Sequence, residues 1–273
     1  MPRQSTITTA AALTGIGLHS GRSVSIEIRP AAAGTGIIFV RGDLPGKPRV
    51  KATANNVTGT LRATTLEDGG AKVFTVEHLL AAFVALGVDN CEVEMTAAEP
   101  PVTDGSALPF VRLIQQAGIV EQDAPCSYIN ITEALTVRLS DKFITILPYD
   151  GFRVSFTSVN PHPLIGVQYG DYEITSDSFI QEIASARTIG FMHEVEALQA
   201  QGLALGGNIE NAVVYDDDKI LTPLRFPDEL VRHKILDVIG DLALVGRIKG
   251  HVVAVKSSHE LNTSLAKKIL ASL

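Results

Sequence analysis

One segment, RHKILDVIGDL, constrains this chain more than any other, because it places polar side chains at a fixed interval among apolar ones. His233, Asp237 and Asp241 follow one another in steps of four residues. Residues four apart on an α-helix project from nearly the same face, so these three form a polar strip. The intervening Ile, Leu and Val residues lie around the other side and suit a hydrophobic core. The sequence therefore predicts a helix that carries both core contacts and potential ligands.

The polar strip has two interpretations. An unpaired buried carboxylate is costly, and metal coordination is one way to offset that cost. The imidazole of His233 and the carboxylate of Asp237 can bind one ion from adjacent turns, and a catalytic zinc takes three protein ligands while leaving one position for water. The alternative is a solvated helix face with local ion pairs, which is the commoner meaning of H-x-x-x-D on its own.

A third ligand is expected from a second predicted helix, in TVEHLLAAFVALGV, for which Thr75 is the expected N-cap and Gly87 the expected end. The two halves of the chain repeat one order of strands and helices, so His78 is the leading candidate to lie opposite His233. Glu77 precedes it, and a carboxylate beside a metal-bound water acts as a general base. The alternative for Glu77 is an ordinary acidic residue at a helix start.

A further histidine, His259, lies in VKSSHELN at a predicted turn between a strand and a helix. Functional side chains are common at such turns. His259 is a candidate general acid, and Asp241, one turn beyond Asp237, is a candidate to hold its ring and stabilise the imidazolium. The alternative is a surface histidine that caps the helix.

Composition narrows the class of protein. The chain has 273 residues, 45% hydrophobic and 19% charged, which indicates an ordered globular protein. The net charge of −7 and the absence of a basic run argue against nucleic acid as a partner. Lys234 and Lys256 remain candidates to neutralise one anionic group of a substrate, although solvated lysines are more common.

The intracellular location is also an expectation from composition. Cys91 and Cys126 are too few for a disulfide framework or a cysteine-type zinc site. The N-terminus lacks the continuous apolar core of a signal peptide, and no window approaches the length of a membrane span. We therefore expect a cytoplasmic protein without stable membrane insertion.

The chain is predicted to divide at the polar segment EQDAPCS, residues 121–127, which we take as a linker. Strand-like runs, a helix, a strand and a second helix precede it. Strands follow it, then a strand–helix–strand unit in RTIGF, HEVEALQAQG and NAVVYD, then the long helix, a strand and a last helix. This order predicts domains at 1–122 and 127–273, with both histidine-bearing helices at their junction.

Six motifs together resemble one family: TGIGLHSG, TVEHLLAA, EPPVTDGSALPF, ARTIGF, LRFPDELVRHKILDVIGDL and KSSHELN. They occur in the order seen in the UDP-3-O-acyl-N-acetylglucosamine deacetylases, and the resemblance covers about residues 9–270. It implies an α+β fold of two similar domains whose helices are sandwiched between two outer β-sheets. A β-α-β insert in the second domain, about residues 187–215, is implied to form a tunnel for an acyl chain.

The resemblance also implies the activity. Members of this family remove the N-acetyl group of UDP-3-O-(3-hydroxyacyl)-N-acetylglucosamine and release acetate, in the committed step of lipid A synthesis. The implied cofactor is Zn²⁺, with Fe²⁺ as an alternative in the cell. The implied partner is this small-molecule substrate alone, and we expect a monomer.

The resemblance assigns roles to the candidate residues. It implies metal ligands at His78, His233 and Asp237, with Glu77 as the base. It implies His259 as an acid or electrostatic stabiliser, Asp241 as its partner, and Thr188 of ARTIGF as a donor to the oxyanion.

For the acyl tunnel, the residues of suitable character are Leu18, Phe191, Met192, Val195, Leu198, Leu203, Leu205, Ala212 and Val214. Core packing explains many of these equally well. The sequence departs from the family pattern at Ile189, where an aromatic residue is common, at Ser258, where glycine is usual, and at Asn208, where serine is usual.

Two other functions compete with the deacetylase. A metal-stabilised binding protein for an acylated nucleotide sugar would need the ligands but neither Glu77 nor His259. A dehydratase for acyl-carrier thioesters is the third hypothesis, since some relatives are fused to such domains, but the chain is too short for that fusion.

Overall fold

The computed structural model describes residues 2–273. The strands of the first half are β1 (Arg3–Ile7), β2 (Ala11–Ile16), β3 (Ser23–Pro30), β4 (Ile37–Arg41), β5 (Arg49–Lys51), β6 (Val57–Gly59), β7 (Thr65–Asp68), β8 (Ala71–Phe74), β9 (Cys91–Met95) and β10 (Ile119–Pro125). Its α-helices are α1 (Glu77–Ala85) and α2 (Leu108–Ala117).

The second half contains eight strands and four α-helices. Its strands are β11 (Ile129–Asn130), β12 (Leu135–Leu139), β13 (Lys142–Leu147), β14 (Phe152–Val159), β15 (Val167–Glu173), β16 (Ile189–Phe191), β17 (Val213–Tyr215) and β18 (Ile248–Val255). Its helices are α3 (Ser176–Ser178), which continues as a π-helical turn, α4 (Met192–Ala200), α5 (Glu229–Leu242) and α6 (His259–Ala271).

Two large sheets have the same strand order, which confirms the predicted pair of similar α+β units. The first sheet runs β2-β3-β9-β4-β5, and the second runs β12-β13-β18-β14-β15, with β11 beside β18. In both, the middle strand is antiparallel to the neighbour on one side and parallel to the neighbour on the other. The sequence identity between the halves is slight, but the topology is the same.

The helices form the layer between the two sheets. Helix α2 contacts β2 of the first sheet, α5 contacts β14 and β15 of the second, and α6 contacts β12 and β13. Helix α1 packs against both α2 and α5. One hydrophobic core runs through all three layers and contains Phe39 of β4, Phe83 of α1, Ile239 of α5 and Phe156 of β14.

Helices α1 and α5 approach each other closely at Gly240. A Cβ atom at this position would lie 2.0 Å from the backbone oxygen of Glu77. Only glycine permits this approach, because any side chain would collide with the first turn of α1. Gly240 therefore sets the distance between the two histidine-bearing helices.

The predicted linker is a strand. Residues 119–125 form β10, which pairs antiparallel with β1 at the other end of the first half. This strand was not predicted, because a polar and mostly exposed edge pair has no apolar alternation to reveal it. The role of residues 121–127 as a linker between the halves stays a prediction. The division into domains 1–122 and 127–273 stays a prediction.

The predicted start of α1 also needs correction. Thr75 is not its N-cap: its backbone is left-handed, with φ of 57°, and its hydroxyl donates to Glu99 at 3.1 Å. Val76 occupies the N-cap position instead. The end near Gly87 is confirmed, since the helix stops at Ala85.

The predicted strand–helix–strand insert is present as β16, α4 and β17, whose two strands pair in parallel. Strand β15, at the edge of the second sheet, was not predicted from the sequence. Among residues 2–273, no helix has the length and apolar character that crossing a membrane requires.

We predict that Gly240→Ala destabilises the protein. Glycine to alanine within a helix normally gains up to about 1 kcal/mol. Here the new methyl group would push α1 away from α5, and overpacking of this kind costs about 1 to 3 kcal/mol. Urea unfolding measures the change in the free energy of unfolding.

The matched control is Gly190→Ala in β16, where an added Cβ meets nothing within 4 Å. We expect this change to stay within about 0.5 kcal/mol of wild type. A Gly240→Ala protein as stable as the control would show that the helices are free to separate.

Candidate active site

Three buried side chains, His78, His233 and Asp237, converge where α1 crosses α5. Their ligand atoms all lie within 4.8 Å of one another. Asp237 Oδ1 is 3.7 Å from His78 Nε2 and 3.5 Å from His233 Nε2. The structure thus brings together the three predicted metal ligands, one from the first half of the chain and two from the second.

The carboxylate of Asp237 has one oxygen without a protein partner. Its Oδ2 accepts a hydrogen bond from Lys234 Nζ at 2.8 Å, whereas Oδ1 is buried and has no donor among residues 2–273. Burial alone would raise the pKa of Asp237, but the charge of Lys234 holds it well below its usual value. A buried anionic oxygen without a partner is costly, so a cation between the three side chains would stabilise it.

The imidazole of His233 is neutral and has one unprotonated ring nitrogen, as metal coordination requires. Burial lowers the pKa of its imidazole to about 3, although Asp237 opposes the shift, so the ring is neutral. Its Nδ1–H donates to the backbone oxygen of Ala186 at 3.1 Å, which leaves the Nε2 lone pair free. Two imidazoles and a carboxylate form a donor set that fits zinc.

Glu77 lies beside His78 in the first turn of α1, where it is only 2% exposed. Its Oε2 accepts a hydrogen bond from the backbone N–H of Thr64 at 3.1 Å. Burial raises the pKa of the carboxyl group, and the neighbouring His259 and His78 only partly offset the rise. A carboxylate with a raised pKa next to a metal site is suited to accept a proton.

His259 and Asp241 form the predicted pair. His259 Nδ1 lies 2.8 Å from Asp241 Oδ2, and Asp241 is fully buried. Thr64 Oγ1 at 2.5 Å and Asn262 Nδ2 at 2.9 Å donate to the same carboxylate. Burial would lower the pKa of His259, but the charge of Asp241 outweighs it and raises the pKa to about 10. The imidazole is therefore protonated at neutral pH.

These groups face one cavity of about 300 Å³. Of the predicted catalytic and metal residues, it is lined by Glu77, His78, Thr188, His233, Lys234, Asp237 and His259. Asp241 lies behind His259, outside the lining. Thr188 is fixed in place because its backbone N–H donates to Gly105 at 2.9 Å and its carbonyl accepts from Val213 at 2.8 Å.

A second, largely apolar cavity of about 320 Å³ adjoins the first. The two cavities share five lining residues, Leu18, Arg62, Thr188, Ile189 and Phe191. It is lined by most of the expected tunnel residues, namely Leu18, Phe191, Met192, Val195, Leu198, Ala212 and Val214. The insert thus encloses an apolar space next to the polar site.

Leu205 and Leu203 do not line this cavity. Leu205 is 51% exposed, and its backbone N–H donates to the carbonyl of His19 at 3.1 Å. The backbone of this loop, rather than the leucine side chains, contacts the N-terminal half. The expectation for these two leucines is therefore corrected.

Lys256 also lies outside both cavities. Its ammonium group pairs with Asp141 at the edge of the second sheet, and its backbone is left-handed, with φ of 54°. This local turn directs the side chain toward a surface carboxylate. The structure does not bring Lys256 to the candidate site.

Sequence reasoning missed several site residues, of which Thr64 matters most. It bonds both Glu77 and Asp241, yet it lies in a loop with no distinguishing pattern. Asn262 gave a signal, because it lies three residues after His259 on the same helix, α6, and so shares its face. The three departures from the family pattern all border the cavities: Ile189, Ser258 and Asn208.

Comparison with known proteins agrees with this geometry. The chain matches the family model of UDP-3-O-acyl N-acetylglycosamine deacetylase over residues 4–271. A relative from Hahella chejuensis named UDP-3-O-acyl-N-acetylglucosamine deacetylase is 47% identical, over 99% of this chain and 91% of that protein. Relatives of the same name from Marinobacter nauticus and Pseudomonas entomophila are each 48% identical, with the same coverage. The chain therefore belongs to the UDP-3-O-acyl-N-acetylglucosamine deacetylases, a family of hydrolases that act on an amide.

Proposed function

We propose that this protein removes the N-acetyl group from UDP-3-O-(3-hydroxyacyl)-N-acetylglucosamine with a bound zinc ion. Hydrolysis releases acetate and a free glucosamine amine, as the committed step of lipid A biosynthesis in the cytoplasm. The observation that carries this proposal is the unpartnered Asp237 Oδ1 between two imidazoles, flanked by a buried carboxylate and a buried imidazolium.

The metal would be held by His78, His233 and Asp237, which leaves room for water and substrate on the cavity side. Zinc bound there supplies Lewis-acid activation of a water molecule and of the amide carbonyl. Fe²⁺ is an alternative metal in the cell, because imidazole and carboxylate ligands also suit iron.

Glu77 acts as the general base. The Thr64 N–H holds Oε2 at 3.1 Å, so the carboxylate is fixed where it lines the cavity. Because burial raises the pKa of Glu77, the carboxylate is a stronger base than a solvated glutamate. It takes the proton of the attacking water.

His259 stabilises the negative charge that develops on the amide oxygen. The ring enters the reaction protonated, since Asp241 raises its pKa to about 10. Thr188, whose backbone is held in the cavity wall by hydrogen bonds to Gly105 and Val213, offers its hydroxyl as a second donor to this oxygen. The leaving amine needs a proton, for which His259 and the protonated Glu77 are the two candidate donors.

The substrate spans both cavities. The apolar cavity takes the acyl chain, with Leu18 and Phe191 at the junction with the polar site. Lys234, which lines the polar cavity beside Asp237, is the candidate to meet the anionic side of the UDP-sugar. We propose a monomer that needs no nucleic acid and no stable membrane insertion.

Acetate release from UDP-3-O-acyl-N-acetylglucosamine tests this function. We expect turnover by the purified protein, loss of turnover with a chelator, and recovery on addition of stoichiometric zinc. A protein that binds the substrate without releasing acetate would instead be the metal-stabilised binding protein.

We predict that Glu77→Gln lowers kcat by about 10² to 10⁴-fold, the usual contribution of a general base. Zinc content should stay at the wild-type level, because Glu77 is not a ligand. The control is Glu67→Gln, which removes an exposed carboxylate paired with Lys72 and should leave kcat unchanged. Full activity of Glu77→Gln would remove this residue as the base.

We predict that Asp241→Asn moves the alkaline limb of kcat/KM to lower pH. The protonated His259 is lost as pH rises through its pKa, which is about 10 in the wild type. The charge and hydrogen bond of Asp241 are the largest causes that raise this pKa, so the pKa falls when they are removed. A pH profile and an NMR titration of the His259 ring measure the shift, with Asp228→Asn as the control. An unchanged alkaline limb and ring pKa would show that Asp241 does not set the charge of His259.

A further inference from the structure

We propose that the buried ion pair between Arg187 and Glu229 is a positioning device for the metal centre. It holds the one peptide group that orients the ligand His233. This inference rests on the proposed function and deepens it, because it adds a pair of residues that act through the site without touching the substrate.

The pair is buried, and both oxygens of the Glu229 carboxylate accept hydrogen bonds. Arg187 is 6% exposed and Glu229 is 1% exposed. Arg187 Nε lies 2.8 Å from Glu229 Oε1, and the guanidinium also donates to Glu229 Oε2 at 3.1 Å and to the carbonyl of Pro223 at 2.7 Å. The backbone N–H of Arg225 donates to Glu229 Oε2 at 2.7 Å. Both carboxylate oxygens are thereby occupied.

The peptide between Ala186 and Arg187 joins this pair to His233. Its N–H donates to Glu229 Oε1 at 3.0 Å, and its carbonyl accepts from His233 Nδ1 at 3.1 Å. Glu229 and His233 lie four residues apart, on one face of α5. The peptide is therefore held at both ends by the same helix, one turn apart.

This arrangement fixes the tautomer of His233. While the Ala186 carbonyl accepts from Nδ1–H, the proton cannot reside on Nε2, which faces His78 and Asp237. Groups that orient a ligating histidine in this way contribute about 10 to 100-fold to metal affinity or activity. Thr188 follows Arg187 directly, so the same anchor fixes the residue proposed to contact the oxyanion.

If the ion pair served only to stabilise the fold, its replacement would have a different effect. Replacing a buried ion pair by apolar residues of similar size is often neutral or stabilising for the fold. The double variant Arg187→Met/Glu229→Leu removes both charges together and leaves no unpaired buried ion. The new side chains fill a similar volume, but the backbone N–H at position 187 loses the Glu229 carboxylate as its acceptor.

The experiment compares wild type, Glu229→Gln, the double variant and the control Asp228→Asn. Asp228 directly precedes α5, pairs with Arg232, and makes no hydrogen bond to the Ala186–Arg187 peptide. Zinc affinity is measured by competition with a chromogenic chelator. The tautomer of His233 is read in the metal-free protein from ¹⁵N chemical shifts of its ring.

We expect the double variant to fold, to bind zinc about 10 to 100-fold more weakly, and to show a mixture of His233 tautomers. Glu229→Gln should shift in the same direction, and Asp228→Asn should match wild type. A folded double variant with wild-type zinc affinity and a single Nδ1–H tautomer overturns the proposal. If neither variant folds, the pair serves the fold alone and the proposal is equally refuted.

Failure of this inference can be distinguished from failure of the proposed function. A wild-type protein that neither binds zinc nor releases acetate refutes the deacetylase proposal itself. A normal wild type together with a normal double variant refutes only the role of Arg187 and Glu229.

Discussion

The close approach of α1 to α5 at Gly240 is the constraint on which the site depends. The backbone of Glu77 lies against this glycine, so the first turn of one helix meets the middle of the other. Neither half of the chain contains the site alone, since α1 supplies Glu77 and His78 while α5 supplies His233 and Asp237. Two sheets of the same topology enclose these helices and fix their crossing.

Burial gives the site its chemistry as well as its shape. Three carboxylates, on Glu77, Asp237 and Asp241, lie within a region that excludes most water. Lys234 offsets the negative charge of Asp237, and the His259 imidazolium offsets that of Asp241. The carboxyl group of Glu77 has a raised pKa instead. The Oδ1 atom of Asp237 has no hydrogen-bond partner among residues 2–273. A divalent cation at the three ligands would give Asp237 Oδ1 the partner that it lacks. The same low-polarity surroundings make each charged group more effective than it would be in water.

Much of this site was predictable because it rests on local spacing. Steps of four residues place His233, Asp237 and Asp241 along one helix face, the repeated order of elements pointed to His78 with Glu77 beside it, and a predicted strand-to-helix turn pointed to His259. The motif resemblance added Thr188 and assigned a role to each residue. Contacts made by the backbone were not predictable in the same way. The Thr64 N–H that holds Glu77 and the left-handed turn that directs Lys256 toward Asp141 depend on loop geometry, which side-chain pattern does not encode. Strand β10 escaped prediction for a similar reason, since its partner β1 is more than a hundred residues away.

X-ray diffraction of zinc-loaded crystals, with anomalous data collected at the zinc edge, tests the metal centre most directly. We expect one strong peak at the crossing of α1 and α5. It should lie about 2.0 to 2.2 Å from His78 Nε2, His233 Nε2 and Asp237 Oδ1. A peak bound elsewhere, or imidazole rings turned away from one another in fully loaded protein, would contradict the assignment of these three ligands.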